Sequence, residues 1–261
     1  MKIHHLVSSL AICLFALLAS SHTANAQTPG LSSPPLEGYF YPVTTASVTP
    51  DSQGFIRRWT LLEPIVKPNR SNTVFVDSYV REAFATEYFP NQMTVVPKDG
   101  DKVKVTVEVQ APVNLAMGRP QQQQAPAAPK FEKRTLVWHS LDSKRFNVKL
   151  FRFATGLDKD RYGVIFWAVT VINCDQDLEN VRMAVGSNSA SMWWIDGQEA
   201  LILSGDRRMV MDDATSKRLT LSKGRHVLRG AVINGPGMSD FCVRFIDEAG
   251  NPVKNYTITT Q

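Results

Sequence analysis

From Leu136 to the C-terminus, short apolar runs alternate with turn-forming residues. TLVWHSL, FNVKLFRFA, YGVIFWAVTVINC, NVRMAVGS, ASMWWIDGQEALIL, KRLTLS, HVLRGAVIN, SDFCVRFID and NYTITT each read as strand. Between them stand Leu157-Asp158-Lys159-Asp160, Asp196-Gly197, Lys223-Gly224, Gly235-Pro236-Gly237 and Gly250-Asn251-Pro252. Asp-Gly between two such runs is the strongest hairpin signal in the chain. Upstream, FIRRWTLLEPI reads as a strand stopped by Pro64. KVKVTVEVQ follows the turn at Gly100 and alternates strictly, with Val103, Val105, Val107 and Val109 on one face. Helical spacing is clear only in VDSYVREAFATEYF, where Val80, Phe84 and Tyr88 recur every four residues and Asp77 can cap the start. The spacing predicts a short helix near Asp77–Phe89.

Short strands without intervening helices predict an all-β fold, a two-sheet antiparallel jelly-roll sandwich of roughly nine to eleven strands with one short helix. The expected core comprises Val164, Phe166, Ala168, Trp193, Ile195, Leu219, Leu221, Leu228, Val232, Phe241, Val243 and Phe245. Three segments frame it. Residues 1–26 have the form of a cleaved signal peptide: Lys2, the apolar run LVSSLAICLFALLAS, then Ala24-Asn25-Ala26. That run is too short for a membrane span, so the protein is expected to be periplasmic or secreted, with no span after signal removal. Residues 27–53 are rich in Pro, Ser and Thr and read as an N-terminal strap, with Tyr39, Phe40 and Tyr41 able to pack on the sandwich that occupies 54–261. Within the sandwich, the Gln/Pro-rich stretch 111–134 reads as a mobile loop.

Composition narrows the chemistry. The net charge of +5 comes with no Lys/Arg cluster, which argues against nucleic acid as a partner. Outside the leader only His139 and His226 remain, too few for most His-based metal centres, and no metal or cofactor is expected. Cys174 and Cys242 each lie in a strand pattern, open to either a disulfide or two buried thiols. G-x-S-x-G is absent, and so is the Gly-Asp-Ser block of small secreted esterases; no residue presents itself as catalytic.

GSNSASMWWIDGQEALILS, RLTLSKGRHVLRGAVINGPG and DFCVRFIDEAGNPV resemble the galactose-binding-like jelly-roll modules of polysaccharide-degrading bacteria. FIRRWTLLEPI resembles the entry strand of those modules, with Trp59 and Pro64 in place. Similar secreted proteins are often labelled acetylxylan esterase. The resemblance implies a carbohydrate-binding sandwich and offers plant polysaccharide such as xylan as its target. Where the family carries paired acids that can hold calcium, this chain has Asn188-Ser189, so the carboxylates a hard cation wants are missing.

The adjacent Trp193 and Trp194 must point to opposite faces of their strand. The family's apolar positions fall on Ser191, Trp193 and Ile195, which sends Trp193 inward. Trp194, beside Met192 and Asp196, is then either a platform for a sugar ring or a residue covered by the strap. Asn188, Arg208 and Asp212 are the polar neighbours expected to complete a ligand site with Trp194. The alternative for Asn188-Ser189 is turn satisfaction, and for GDRRMVMDD an ion-pair network that fixes a loop. The expected function is a non-catalytic glycan-binding protein of the bacterial envelope or secretome, with polysaccharide or oligosaccharide as partner. An acetylxylan esterase-like deacetylase and a structural component of a polysaccharide-processing complex, meeting other envelope proteins, are the alternatives.

Overall fold

The computed structural model describes residues 36–68, 72–109 and 130–261. Among them, the N-terminal part supplies β1 (Phe40–Pro42), β2 (Arg58–Leu62), β3 (Ile65–Val66), helix α1 (Asp77–Ala85) and β4 (Lys102–Val109). The middle supplies β5 (Lys130–Ser143), helix α2 (Leu150–Gly156), β6 (Val164–Cys174), β7 (Leu178–Ser187), β8 (Ala190–Ile195) and β9 (Gln198–Leu203). Then follow β10 (Ala214–Thr215), β11 (Leu219–Leu221), β12 (Gly224–Asn234), β13 (Phe241–Ile246), β14 (Pro252–Val253) and β15 (Thr257–Thr259). The larger sheet runs β1-β5-β2-β6-β12-β8-β9, with β3 and β15 also on β6 and β4 on β5. The smaller runs β10-β7-β13-β14, with β11 also on β7. The fold is an all-β antiparallel sandwich of two sheets.

β6 and β12 form the centre of the larger sheet, paired along their whole lengths from Gly224↔Cys174 to Asn234↔Val164. VIFWAVTVINC lacks alternation because both of its faces are covered. Val164, Phe166 and Ala168 face the smaller sheet, whereas Ile165, Trp167 and Val169 face a second apolar layer outside the sandwich. Between the sheets, Trp59, Trp193 and Phe241 meet edge to face, with centroids 5.0 to 5.9 Å apart. Gly230, opposite Trp193 on β12, is required there: a Cβ would lie 2.3 Å from the indole.

The outer layer was not expected. α1 presents Val80, Ala83 and Phe84 to the larger sheet, and the β4–β5 ribbon adds Val105, Val107, Leu136 and Trp138. The valine face of KVKVTVEVQ therefore meets this layer and not the inter-sheet core. The inter-sheet core contains eleven of the twelve expected residues, and Leu219 packs half-buried at its margin.

Several local expectations need correction. α1 ends at Ala85, not Phe89, because Gln92 terminates it: its side-chain amide donates to the Phe84 and Thr86 carbonyls while its oxygen accepts the Tyr88 N–H. Tyr88 stays buried without being helical. Asp77 does not cap; Val76 holds that position and Asp77 sits within the first turn. FNVKLFRFA is not a strand. Leu150, Phe153 and Ala154 are buried at three- and four-residue spacing, and the segment forms α2, so the fold has a second helix. Residues 130–134, expected in the loop, begin β5. Phe40 of the strap is buried and β1 pairs with β5, whereas Tyr41 is exposed. Residues 1–35, which hold the expected signal peptide and the start of the strap, and 110–129 of the Gln-rich stretch lie outside the described residues. Cys174 and Cys242 are two buried free thiols.

Candidate functional site

β8 and β9 turn back at Asp196-Gly197, whose φ angles of 50° and 78° are the pair a two-residue primed turn requires. This hairpin places Trp194 and Met192 on the outer face of the larger sheet. Trp194 stacks on Trp167, with planes inclined by 16° and centroids 5.7 Å apart, and takes the edge of Phe84 from α1. It is 6% exposed. One indole face is thus occupied by a second indole, so Trp194 is not the open platform that was one of the two expectations for it, and what it presents to the neighbouring cleft is the small remainder of its surface. Its cover comes from α1, not from the strap.

A cleft opens beside this stack, with a volume of about 480 Å³. Trp194, Met192, Phe84 and Met93 supply its apolar lining, and Arg81, Glu87, Asn91 and Thr94 its polar lining. Glu87, Asn91 and Thr94 are all exposed, on the segment that Gln92 pins to the end of α1. Arg81 donates to Glu199 of β9 at 2.6 Å, tying the helix to the hairpin, and that bond raises its pKa further. Sequence reading missed this cleft because its parts come from α1, the segment after it and β8. The available signal was two unalternating runs, VIFWAVTVI and ASMWWI, which require cover on both faces.

Behind the cleft wall lies an unusual cation. Arg229 of β12 stands opposite Trp194 in register and is buried, with Nη2 donating to the Val95 carbonyl at 2.6 Å and Nη1 without a hydrogen-bond partner. Burial pulls its pKa down to about 10. No carboxylate pairs with it among the described residues.

The other predicted site residues do not join Trp194. Asn188 sits in the tight passage from β7 to β8, half-buried, its N–H on the Asp240 carbonyl; Ser189 takes the left-handed φ of 61°. The connection 205–213 starts beside Phe75 and crosses to the outer face of the smaller sheet, where a Cβ on Gly186 would lie 1.8 Å from the Val210 carbonyl. Arg208 is exposed on this crossing. Asp212 is gripped by Arg244, whose Nε lies 3.0 Å from Oδ1, and Arg207 pairs likewise with Asp213. Asp212 and Trp194 therefore occupy opposite outer faces of the sandwich, and the four residues do not converge on one ligand.

Neither histidine has the surroundings of a general base next to a nucleophile. His226 Nδ1 lies 2.6 Å from Asp196 and Nε2 2.8 Å from the Ser222 carbonyl, so both ring nitrogens are engaged. Burial opposes its charge, but the Ser222 carbonyl and Asp196 outweigh burial and hold its pKa above the ordinary imidazole value. His139 Nε2 is 3.5 Å from Glu63, while the neighbouring Ser140 hydroxyl is bonded to Thr60.

No family model matches the chain, and neither does any curated protein. Among solved structures, it is similar to a PA14 sugar-binding domain from an RTX adhesin at 9% identity and a TM-score of 0.40, covering 77% of this chain and 96% of that one. A PA14 domain of the antifreeze protein MpAFP is similar at 10% identity and a TM-score of 0.34, covering 82% of this chain and 92% of that one.

Proposed function

We propose that this protein is a non-catalytic glycan-binding protein of the bacterial envelope or secretome, and that the cleft beside Trp194 is its site for an uncharged sugar. The observation that carries the reading is the composition of that cleft: Met192, Met93 and the Trp194 edge below, with Glu87, Asn91 and Thr94 around them. A sugar ring has a C–H-rich face and a circumference of hydroxyls. The thioethers and the indole edge take the first, and the carboxylate, amide and hydroxyl take the second. At about 480 Å³ the space suits a short stretch of chain. Xylan is the polymer the sequence resemblance points to, and a periplasmic or secreted location follows from the leader-like residues 1–26. Among the described residues no helix is long and apolar enough to cross a membrane.

Affinity electrophoresis in gels containing xylan or another neutral plant polysaccharide tests this. The protein should be retarded, and Thr94→Arg, which fills the cleft from an exposed position, should abolish the retardation while circular dichroism stays unchanged. Glu87→Ala should weaken it about tenfold, the effect of removing one charged hydrogen-bond acceptor. Migration unaltered by every neutral polysaccharide, or retained in Thr94→Arg, overturns the reading. Acetate release from acetylated xylan by the purified protein, abolished by His139→Ala, would replace it with the esterase alternative.

A further inference from the structure

Away from the cleft, four aromatic rings and three cations follow one another along one surface. Lys144 Nζ lies 4.3 Å from the Tyr41 centroid, and the Lys144 N–H donates to the Tyr39 carbonyl at 2.9 Å. The Arg152 guanidinium lies 5.2 Å from the Tyr39 ring and 5.8 Å from Phe151. Arg161 lies 5.9 Å from Phe151 and 5.8 Å from Tyr162. The order along the strip is thus Tyr41, Lys144, Tyr39, Arg152, Phe151, Arg161, Tyr162. Five of the seven lie in the one stretch from Lys144 to Tyr162, and the pairing of β1 with the end of β5 adds Tyr39 and Tyr41 to them.

Two features separate this strip from an ordinary charged surface. First, aromatic groups lie open on it: Tyr41 is 57% and Tyr162 51% exposed, and large exposed rings normally find cover. Second, its cations lack a carboxylate in contact, although Lys144 Nζ donates to the Glu37 carbonyl and Arg152 is near enough to Asp240 to favour its charged form. Arg58, Arg207 and Arg244 each hold a carboxylate, whereas among the described residues Lys144, Arg152 and Arg161 make no ion pair. An arginine that lies against a ring uses its flat face there, and its N–H edges remain free to grip a carboxylate in a fork.

We propose that this strip is a second binding surface, specific for acidic polysaccharides built from uronic acids. Such a polymer repeats the two features of the strip: a C–H-rich ring face to lie on an aromatic, and one carboxylate per sugar to meet a cation. A nucleic acid has a denser charge and is met by a longer run of cations than the three present here. A neutral polymer leaves the arginine forks without a partner. The surface is independent of the cleft, and either proposal stands if the other fails.

The test is affinity electrophoresis of the full chain at low salt in gels containing polygalacturonate, its fully methyl-esterified form, or single-stranded DNA. Retardation is expected in the free acid and not in the ester, which keeps the sugars and removes the charge. Arg152→Gln with Arg161→Gln should weaken binding about a hundredfold, about tenfold for each fork lost. Tyr162→Ala should weaken it severalfold. A control with the same charge change, Arg218→Gln with Arg225→Gln, should bind as the parent does. Thermal midpoints confirm that each variant is folded. The proposal is overturned by absence of retardation in polygalacturonate, by equal retardation in acid and ester, or by a control that loses as much as the strip variants. DNA bound as tightly, with no loss in Tyr162→Ala, overturns it in favour of an unspecific positive patch.

Discussion

Trp193 and Trp194 are neighbours in the chain and belong to two different cores. Trp193 lies between the sheets, wedged against Trp59 and Phe241, with its N–H donating to Ser191, which in turn bonds Ser187. Its surroundings are strand backbone on either side, already paired in ladders, which cannot yield without breaking hydrogen bonds. Trp194 lies in the outer layer beneath a helix of nine residues and a ribbon. That layer leaves the Trp167 N–H, the Tyr88 hydroxyl and Arg229 Nη1 buried without partners, and it is where the cleft opens. A core closed by a second sheet is enclosed by paired strands on both sides. One closed by a short helix has a margin, and a margin can hold a ligand.

Substitutions can break this contrast, beginning with the largest effect. Trp193→Ala should destabilise the protein by about 4 to 5 kcal/mol, because the cavity is enclosed by ladders and cannot collapse. Gly230→Ala should lose about 3 kcal/mol by forcing a methyl group into the same indole. Trp194→Ala should remove about 3 kcal/mol, less than its twin, since water from the cleft can enter the space. Urea unfolding of the three variants measures the order, and equal losses for the two tryptophans would mean that the layers are equally closed.

A smaller effect sharpens the same comparison. Arg229→Met places an apolar chain of similar reach where a buried cation has no carboxylate, and stability should stay within about 1 kcal/mol of the parent or rise. In contrast, Arg58→Met should lower it by about 3 kcal/mol, since Asp142 would be left part-buried without its partner. Thermal unfolding at pH 7 compares them.

The smallest effect is on pH dependence. His226 is raised in the folded state, so its contribution is complete below its ordinary value of 6.5 and is lost as pH rises through the folded one. Burial lifts the Asp240 carboxyl to about 6 despite Lys149 Nζ at 2.6 Å. The folded protein therefore holds that proton at a pH where the unfolded chain has released it, and stability rises as pH falls through about 6. Both shifts have the same sign. The thermal midpoint should climb on acidification from pH 8 to 5, less steeply above pH 6 in His226→Asn and below it in Asp240→Asn.

What the sequence determined by itself is the sandwich. Alternating and continuous apolar runs and the Asp196-Gly197 turn are local patterns, and local sterics with burial suffice to place strands and the inter-sheet core. The second layer was only half legible. ASMWWI and VIFWAVTVI announce burial on both faces, but what covers the outer one is a helix far upstream in the chain, together with the β4–β5 ribbon. The predicted site failed for a related reason: Asn188, Arg208, Asp212 and Trp194 are close in sequence, yet β8 carries Trp194 to one outer face while the 205–213 connection carries Asp212 to the other. Conversely, Tyr39 and Arg152 are far apart in the chain and lie against each other in the fold. Proximity along a strand says which face a side chain takes, and only the pairing of strands and the seating of helices decides which other side chains share it.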